Sequence, residues 1–114
     1  MPGCVFCNIV SGKLSSDVLY QGEDIIAFRD INPQAPSHIL IIPKKHIPTV
    51  NDLQPTDAEL LGKMILVARD LAQQEGIAER GFRLIINCNR ESGQAVYHLH
   101  LHLIGGRRMR WPPG

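Results

Sequence analysis

The chain has 114 residues, of which 44% are hydrophobic and 20% are charged, and its formal net charge is +1 at neutral pH. This length suits one domain with a core of its own, and the composition is ordinary for a folded globule. The near-neutral charge gives no indication of a nucleic-acid-binding surface, and no apolar run approaches the length of a membrane span. We therefore expect a single domain over residues 1–114, with neither nucleic acid nor a membrane as a partner.

The first half of the chain predicts three strands of one antiparallel sheet. Residues 18–20 and 25–28 form a predicted hairpin around a polar turn at 21–24 that contains a glycine. Residues 38–42 make an apolar, β-branched run that stops at Pro43. All three segments are suited to neighbouring strands of the same sheet.

The middle of the chain predicts one long helix. Residues 56–59, Thr-Asp-Ala-Glu, have the form of a capping box, and apolar residues then recur at helical spacing until Gly76. A helix over about 57–75 would be roughly 28 Å long. A further strand is predicted at 82–87, so the helix must cover one face of an open sheet, which is an α+β architecture.

Three of the five histidines, His98, His100 and His102, lie at every second position of residues 97–103. On a β-strand, side chains two residues apart share a face, with their Cα atoms about 6.7 Å apart. We therefore expect the three imidazoles on one face of a C-terminal strand. The intervening core-facing residues are Leu99, Leu101 and Leu103.

Polar segments flank this predicted histidine strand. Residues 87–94 contain amides, a hydroxyl and a glycine, which predicts a loop, and Gly105 and Gly106 leave room for close backbone approach. Backbone N–H groups in a glycine-containing turn can form an anion-binding concavity, and an imidazolium adds positive charge beside it. A phosphate group is therefore the predicted ligand.

Two other interpretations of the histidines are weaker. A purely structural role does not account for three rings that titrate near neutral pH side by side, where charged neighbours repel one another. One metal ion held by all three rings is disfavoured, because the outer Cα atoms lie about 13 Å apart along a strand. Two of the rings could share an ion with ligands from elsewhere.

Residues 94–106, QAVYHLHLHLIGG, resemble the signature of the histidine triad (HIT) superfamily. The resemblance covers nearly all of the chain, including DINPQAPSH at 30–38, IPKKH at 42–46 and the terminal WPPG. The tail resembles the Hint branch, the histidine triad nucleotide-binding proteins. The resemblance implies an α+β, HIT-like fold with about five antiparallel strands, one long helix and a short N-terminal helix, assembled as a homodimer.

The resemblance implies a hydrolase that cleaves the P–N bond of purine nucleoside 5′-phosphoramidates, releasing an amine and AMP or GMP. His100 would be the nucleophile and form a covalent nucleotidyl-histidine, which splits one displacement into two in-line steps. Its other ring nitrogen needs an acceptor, for which a backbone carbonyl nearby could serve. His102 would donate to a phosphate oxygen, with His98 and His38 behind it, although His38 alone could merely open its strand. No cofactor is required for this chemistry.

The resemblance also implies a purine nucleotide pocket. Asp30 matches a position whose carboxylate accepts from both ribose hydroxyls, although its sequence context also fits a turn residue. Asn87, Gly93 and Gln94 match the phosphate-contacting loop. Ala95 stands where many relatives carry a serine, so only its N–H could contribute. The apolar positions that match the base-holding ones are Val5, Phe6, Ile9, Phe28 and Ile31.

Cys4 and Cys7 are separated by the two-residue gap of a zinc knuckle, and two thiolates need two further ligands to complete a tetrahedron. Some branches of the superfamily bind structural Zn²⁺ through a Cys-Cys-His-His set, for which His46 and His98 are the candidates here. The alternative is a pair of reduced thiols, since three cysteines in a cytoplasmic protein do not predict a disulfide framework. A redox pair is less favoured because no thioredoxin-like βαβ pattern follows.

Residues 107–114 form a predicted C-terminal arm. The resemblance implies that Trp111 docks at the active site of the dimer partner, whereas a frayed end is the alternative. The N-terminus lacks the pattern of a signal peptide, so we expect a cytoplasmic protein. Two other functions remain open: a dinucleoside polyphosphate hydrolase or nucleotidyl transferase that uses the same His100, and a nucleotide-responsive binding protein with vestigial activity.

Overall fold

The computed structural model describes residues 3–114 and contains one five-stranded antiparallel sheet. The strands are β1 (Val18–Gln21), β2 (Ile25–Arg29), β3 (Ser37–Pro43), β4 (Phe82–Ile85) and β5 (Leu101–Gly105), in the spatial order β1-β2-β3-β5-β4. Helix α1 (Val5–Val10) precedes the sheet and helix α2 (Ala58–Gln74) connects β3 to β4. The predicted α+β class, the hairpin, the long helix and the short N-terminal helix are confirmed. Within residues 3–114, no helix combines the length and the apolarity that a bilayer span needs.

Side chains of the central strands alternate between two faces of the sheet. One face packs under α2 and contributes Ile25, Ala27, Ile39, Ile41, Leu101 and Leu103 to the larger core cluster. The other face packs under α1 and contributes Ile26, Phe28, Leu40 and Ile42, which surround Phe6. Since β2 and β3 are covered on both faces, they are continuous apolar runs with no polar alternation.

The predicted histidine strand begins later than the sequence pattern indicates. Strand β5 starts at Leu101, whereas the residues just before it form bends, and the N–H of Leu99 donates to the carbonyl of Ile47 (2.6 Å). One unbroken strand with three equivalent imidazoles was therefore a wrong prediction. Because of the bend, His98 is fully buried beside α1, while His100 and His102 line a cavity.

Helix α2 begins at Ala58 after a 3₁₀ turn over Pro55–Asp57, so the predicted capping box at 56–59 was wrong. The Asp57 carboxylate instead accepts from the N–H of Gln54 (2.9 Å) and from Lys45 Nζ (2.9 Å). The Gln54 N–H is the main cause, and Lys45 the second, of a pKa of Asp57 below its usual range. The turn thereby ties the start of the helix to the end of β3.

The C-terminal arm is tied to the body of the protein at two points. Arg107 Nε donates to the carbonyl of Gln34 (2.9 Å), and Arg83 Nη2 donates to the carbonyl of Arg110 (2.8 Å). Trp111 is nevertheless 82% exposed, which is a large apolar area to leave in water. Its docking on a partner subunit, and the homodimer itself, stay predictions.

A charged network joins the end of α2 to two strands. Glu75, directly after α2, accepts from Arg29 Nη1 (2.8 Å) and Nη2 (2.9 Å) in a bidentate pair, and from Ser37 Oγ (2.9 Å). The hydrogen bond with Arg29 is the main cause of a lowered pKa at Glu75. No local sequence signal indicated this network, because Arg29 and Glu75 are 46 residues apart.

Glu75→Gln is expected to lower the free energy of unfolding by about 1 kcal/mol near neutral pH, because solvent screens a pair whose arginine is partly exposed. The folded pKa of Glu75 lies below its usual value of 4.5, so this stabilisation is present above that pH and is lost as the pH falls through the folded pKa. Denaturant unfolding at about pH 7 and about pH 3 measures the loss of unfolding free energy at each pH. The surface variant Asp70→Asn is the control, and a loss of equal size at both pH values would contradict the assignment.

Candidate active site

A cavity of about 400 Å³ opens between α1, β2 and the segment that leads into β5. All five predicted base-holding residues line it, namely Val5, Phe6, Ile9, Phe28 and Ile31. Asp30, Ala95, His100 and His102 line the same cavity. The structure therefore brings the predicted base and ribose positions together with two of the four predicted catalytic histidines, His100 and His102, whereas His38 and His98 do not line the cavity.

Further residues of the cavity were missed in the sequence. These are Leu14, Ser15, Ser16, Arg29, Leu40 and Val96. The first three follow α1 in a segment without regular structure, and their place at the cavity depends on how α1 packs on the sheet. No spacing pattern within the sequence could have indicated it.

The imidazole of His100 is held in one tautomer by the backbone. Its Nδ1 lies 2.7 Å from the carbonyl oxygen of His98, which can only accept, so Nδ1 carries the proton and Nε2 carries the lone pair. Burial lowers the pKa of His100, which keeps the ring neutral. The ring also packs edge-on against Phe6, with the centroids 5.1 Å apart. His100 thus has the protonation state that a nucleophile requires, with the acceptor now identified.

His38 and His102 form a hydrogen-bonded chain whose direction is fixed. The N–H of Gln34 donates to His38 Nδ1 (3.0 Å), so the proton of the neutral ring lies on Nε2. His38 Nε2 is 2.9 Å from His102 Nδ1 and therefore donates to it. His102 Nδ1 is then an acceptor, which leaves the proton of this second ring on Nε2.

The Nε2 of His102 is buried and, within residues 3–114, has no hydrogen-bond partner. Burial is the main cause, with the His100 and His38 rings as further ones, of a His102 pKa lowered to about 4, so the ring is neutral near pH 7. A buried N–H without an acceptor costs about 1–3 kcal/mol. An oxygen atom of a bound anion would satisfy it.

Asp30 fits both of the interpretations that the sequence left open. Its Oδ1 accepts from the N–H of Asn32 (2.9 Å), as in a turn, and its Oδ2 lies 3.4 Å from His38 Nε2 at the cavity. One carboxylate oxygen therefore shapes the loop, while the other faces His38.

Gln94, predicted to contact phosphate, is buried and shapes its own loop. Its side chain donates to the carbonyls of Pro48 (2.9 Å) and Val96 (3.1 Å), and its Oε1 accepts from the N–H of Asn89 (2.8 Å). Its backbone N–H donates to the Asn89 carbonyl (3.2 Å). Through these bonds, the Gln94 side chain positions the loop.

The remaining predicted phosphate positions lie on the same loop. Gly93 is exposed and has a φ of +86°, a conformation that favours glycine. Ala95 is exposed at the edge of the cavity, and Asn87 is half-buried two residues after the end of β4. Their contact with a phosphate stays a prediction.

Cys4, Cys7, His46 and His98 converge, although they come from three distant parts of the chain. The two Nδ1 atoms lie 3.2 Å apart, Cys4 Sγ and Cys7 Sγ lie 3.4 Å and 3.6 Å from His98 Nδ1, and Cys7 Sγ lies 3.2 Å from His46 Nδ1. A tetrahedral zinc site has edges of about 3.4 Å between two nitrogens and about 3.6 Å between nitrogen and sulfur. The donor atoms therefore fit a zinc ion in spacing and in type.

The protonation state of His98 also suits a metal ligand. His98 Nε2 lies 2.8 Å from the carbonyl of Pro43 and must donate to it, so the lone pair of Nδ1 faces the two sulfurs. Such a bond to the outer ring nitrogen is what orients histidine ligands in metal sites. Burial raises the pKa of the Cys7 thiol, and a bound cation would lower it again by stabilising the thiolate.

A second group, Asp30, His38 and His102, is close enough to share an ion but has the wrong protonation. The Gln34 N–H requires a lone pair on His38 Nδ1, so a proton occupies Nε2, where the metal would bind. The hydrogen bonds of this group therefore favour a series of hydrogen-bonded side chains over a metal site.

Comparisons with known proteins identify the family and the fold. The HIT domain family model matches residues 11–109. The chain is 56% identical over 103 residues to the purine nucleoside phosphoramidase of Escherichia coli (strain K12), covering 90% of this chain and 87% of that protein. The crystal structure of a HIT family hydrolase from Legionella pneumophila superposes with a TM-score of 0.96 at 54% identity, covering 98% and 100% of the two chains. A HIT family hydrolase from Clostridium thermocellum gives a TM-score of 0.94 at 46% identity, covering 96% of each chain.

Proposed function

Because the chain belongs to the HIT domain family, we propose that it hydrolyses purine nucleoside 5′-phosphoramidates to an amine and AMP or GMP. Its similarity to HIT hydrolases and to a named phosphoramidase supports nucleotide hydrolysis. The observation that carries the proposal is the buried, unsatisfied N–H of His102 beside a neutral His100 in a nucleotide-sized cavity. His100 Nε2 offers the lone pair for attack, and His102 Nε2–H can donate a hydrogen bond to a phosphate oxygen.

In the first step, the lone pair of His100 Nε2 attacks the α-phosphorus and forms a P–N bond to the ring. The P–N bond to the substrate amine breaks on the opposite side, and the leaving nitrogen takes up a proton from solvent, so that a neutral amine departs. His102 Nε2–H donates to a phosphate oxygen, where charge develops. The carbonyl of His98 accepts from Nδ1 throughout and stabilises the positive charge that the ring acquires.

In the second step, water attacks the phosphorus of the nucleotidyl-histidine and loses a proton to solvent, the P–N bond to the ring breaks, and the neutral ring and the monophosphate are released. The lowered pKa of His102 keeps its Nδ1 unprotonated. In both steps Nδ1 can therefore accept from His38 while Nε2–H donates to the phosphate. No cofactor takes part in this proposed chemistry.

Binding of the nucleotide would use the remaining residues of the cavity. The purine ring would lie among the apolar residues of α1 and β2, where burial of flat apolar surface is favourable. Asp30 Oδ2 faces the cavity side of its loop and would accept from the ribose hydroxyls. The phosphate would lie between His100, His102 and the backbone at Gly93 and Ala95.

We further propose that Cys4, Cys7, His46 and His98 hold a structural Zn²⁺. The distances and the protonation of His98 support it. The ion would link the first residues of α1 to the segments after β3 and before β5, and no step of the reaction passes through it. We also retain the homodimeric HIT domain with residues 107–114 as an arm, since an exposed Trp111 on an anchored arm fits a residue that docks elsewhere.

The proposed reaction is tested with a panel of substrates. The protein is incubated with adenosine 5′-phosphoramidate, AMP-lysine and diadenosine polyphosphates, and release of AMP is followed. Fast release from the two phosphoramidates is expected, with slower release from a 2′-deoxyadenosine analogue, which lacks one of the two hydroxyls for Asp30. Preferential cleavage of the polyphosphates would favour the alternative hydrolase, and AMP binding without turnover of any substrate would favour a binding protein.

A further inference from the structure

The arm contacts the loop before β3 at a residue that also contacts the catalytic histidines. Arg107 Nε donates to the carbonyl of Gln34 (2.9 Å), and the N–H of Gln34 donates to His38 Nδ1 (3.0 Å). His38 in turn donates to His102 (2.9 Å). The Arg107 guanidinium is thus the outer end of a series of hydrogen bonds. The inner end is His102, whose Nε2–H has no partner within residues 3–114.

We propose that Arg107 is a positioning residue, which orients Gln34 so that its N–H fixes the tautomers of His38 and His102. The predicted effect on turnover rests on the proposed function. The predicted effect on the tautomers does not, because it exists in the protein without substrate.

The N–H of Gln34 decides which ring nitrogen of His38, and in turn of His102, carries the proton. If its N–H moves away, the proton of His38 can occupy Nδ1, and Nε2 then carries a lone pair. His102 would have to place its own proton on Nδ1 to keep the hydrogen bond between the rings. Its Nε2 would then present a lone pair to the phosphate oxygen, and an attractive contact would become a repulsive one.

The loop needs support from outside because it has little packing of its own. Ile31 is 98% exposed, and residues 32–34 and 36 are exposed as well. Its local bonds run from the N–H of Asn32 to Asp30, from Gln34 Nε2 to the Asn32 carbonyl (3.1 Å) and, at its base, from the N–H of Asp30 to the carbonyl of His38 (3.0 Å). All three are short-range, whereas Arg107 reaches Gln34 from 73 residues away.

The backbone before Arg107 is shaped for this contact. Gly106 has a φ of +94°, which favours glycine, and a Cβ at this position would lie 2.9 Å from the Cβ of Pro36. The chain can therefore turn closely against the loop only with glycine here. Arg107 emerges from that turn directly beside Gln34.

The test compares Arg107→Met, which has a similar length but no donor, with Arg107→Lys, which retains one. The matched control is Arg108→Met, which removes the same charge from the neighbouring residue. ¹⁵N chemical shifts of the imidazoles, measured without substrate, report which ring nitrogen of each histidine is protonated. Thermal unfolding shows that each variant is folded.

We expect Arg107→Met to give mixed tautomers at His38 and His102, whereas Arg107→Lys and Arg108→Met keep those of the wild type. The kcat for adenosine 5′-phosphoramidate should fall on the order of tenfold in Arg107→Met, as at the weaker end of losses of supporting hydrogen bonds, with KM little changed. Wild-type tautomers in folded Arg107→Met would overturn the proposal. So would equal changes in Arg108→Met, which would indicate a general effect of charge. If the wild type hydrolysed none of the substrates, the proposed function would fail while the shifts still decided this proposal.

The pH dependence provides a second readout. The N–H of Gln34 opposes protonation of His38 at Nδ1, while Asp30 favours it and the uncharged His102 faces Nε2. Loss of that N–H therefore favours the imidazolium, and the acid limb of kcat should move to higher pH in Arg107→Met only. A purely structural role for Arg107 would leave the limb in place.

Discussion

Replacement of His100 by glycine is expected to slow release of AMP from adenosine 5′-phosphoramidate by at least about 10⁴-fold, because it removes the covalent route. The contacts that would hold the base and ribose involve other residues, so AMP should still bind, with an affinity lowered only by the lost contact between His100 and the phosphate. Free imidazole added to the variant should restore part of the rate, since the cavity and the His98 carbonyl that orients the ring remain. Single-turnover rates and calorimetric titration with AMP measure the two effects separately.

Mass spectrometry of quenched wild-type reactions should detect a nucleotidyl adduct on the peptide that contains His100. His102→Ala is the informative control, because it loses the donor to phosphate but keeps the nucleophile, so it should still form the adduct at a lower rate. An adduct on another residue, or a loss below about tenfold in His100→Gly, would remove the nucleophile assignment.

Cys4→Ser is expected to abolish zinc binding and to lower the melting temperature by more than about 10 °C. The four donors come from segments far apart in sequence, so the ion would act as a cross-link that stabilises the fold by about 3 kcal/mol. In a domain of this size, each kcal/mol shifts the melting temperature by about 4 °C or somewhat more. The loss would also loosen Phe6, which is buried between the cluster and the cavity and packs against the rings of both His98 and His100.

Cys88→Ser is the matched control, since Cys88 is equally half-buried but lies outside the cluster. It should keep one zinc per chain and the melting temperature of the wild type. Metal content is determined after purification without added metal, and unfolding is followed with and without a chelator. A wild-type protein that contains no zinc and melts just as high would falsify the zinc proposal.

Much of the site was predictable because its signals are local. The apolar runs of β2 and β3, the spacing of the three histidines and the segment around Asp30 can each be recognised within a few residues. The family signature added the roles. Phe28, Asp30 and His102 line one cavity because alternate residues of neighbouring strands share a face.

The rest depends on contacts between distant segments. The bend before β5 follows from a bond between Leu99 and Ile47, and an alternating pattern gives no indication that such a partner exists. The pairing of Arg29 with Glu75 and the contact of Arg107 with Gln34 likewise have no local signal. Polarity alone was equally ambiguous for Gln94, whose amide supports the loop from within.

His98 takes part in two structures at once. Its side chain faces the sulfur atoms at the start of α1, and its carbonyl holds the proton of His100. One residue thus contacts the start of α1 and orients the ring of the proposed nucleophile. The order of α1 and the alignment of the proposed nucleophile therefore cannot vary independently, so changes in α1 should slow the reaction before they unfold the protein.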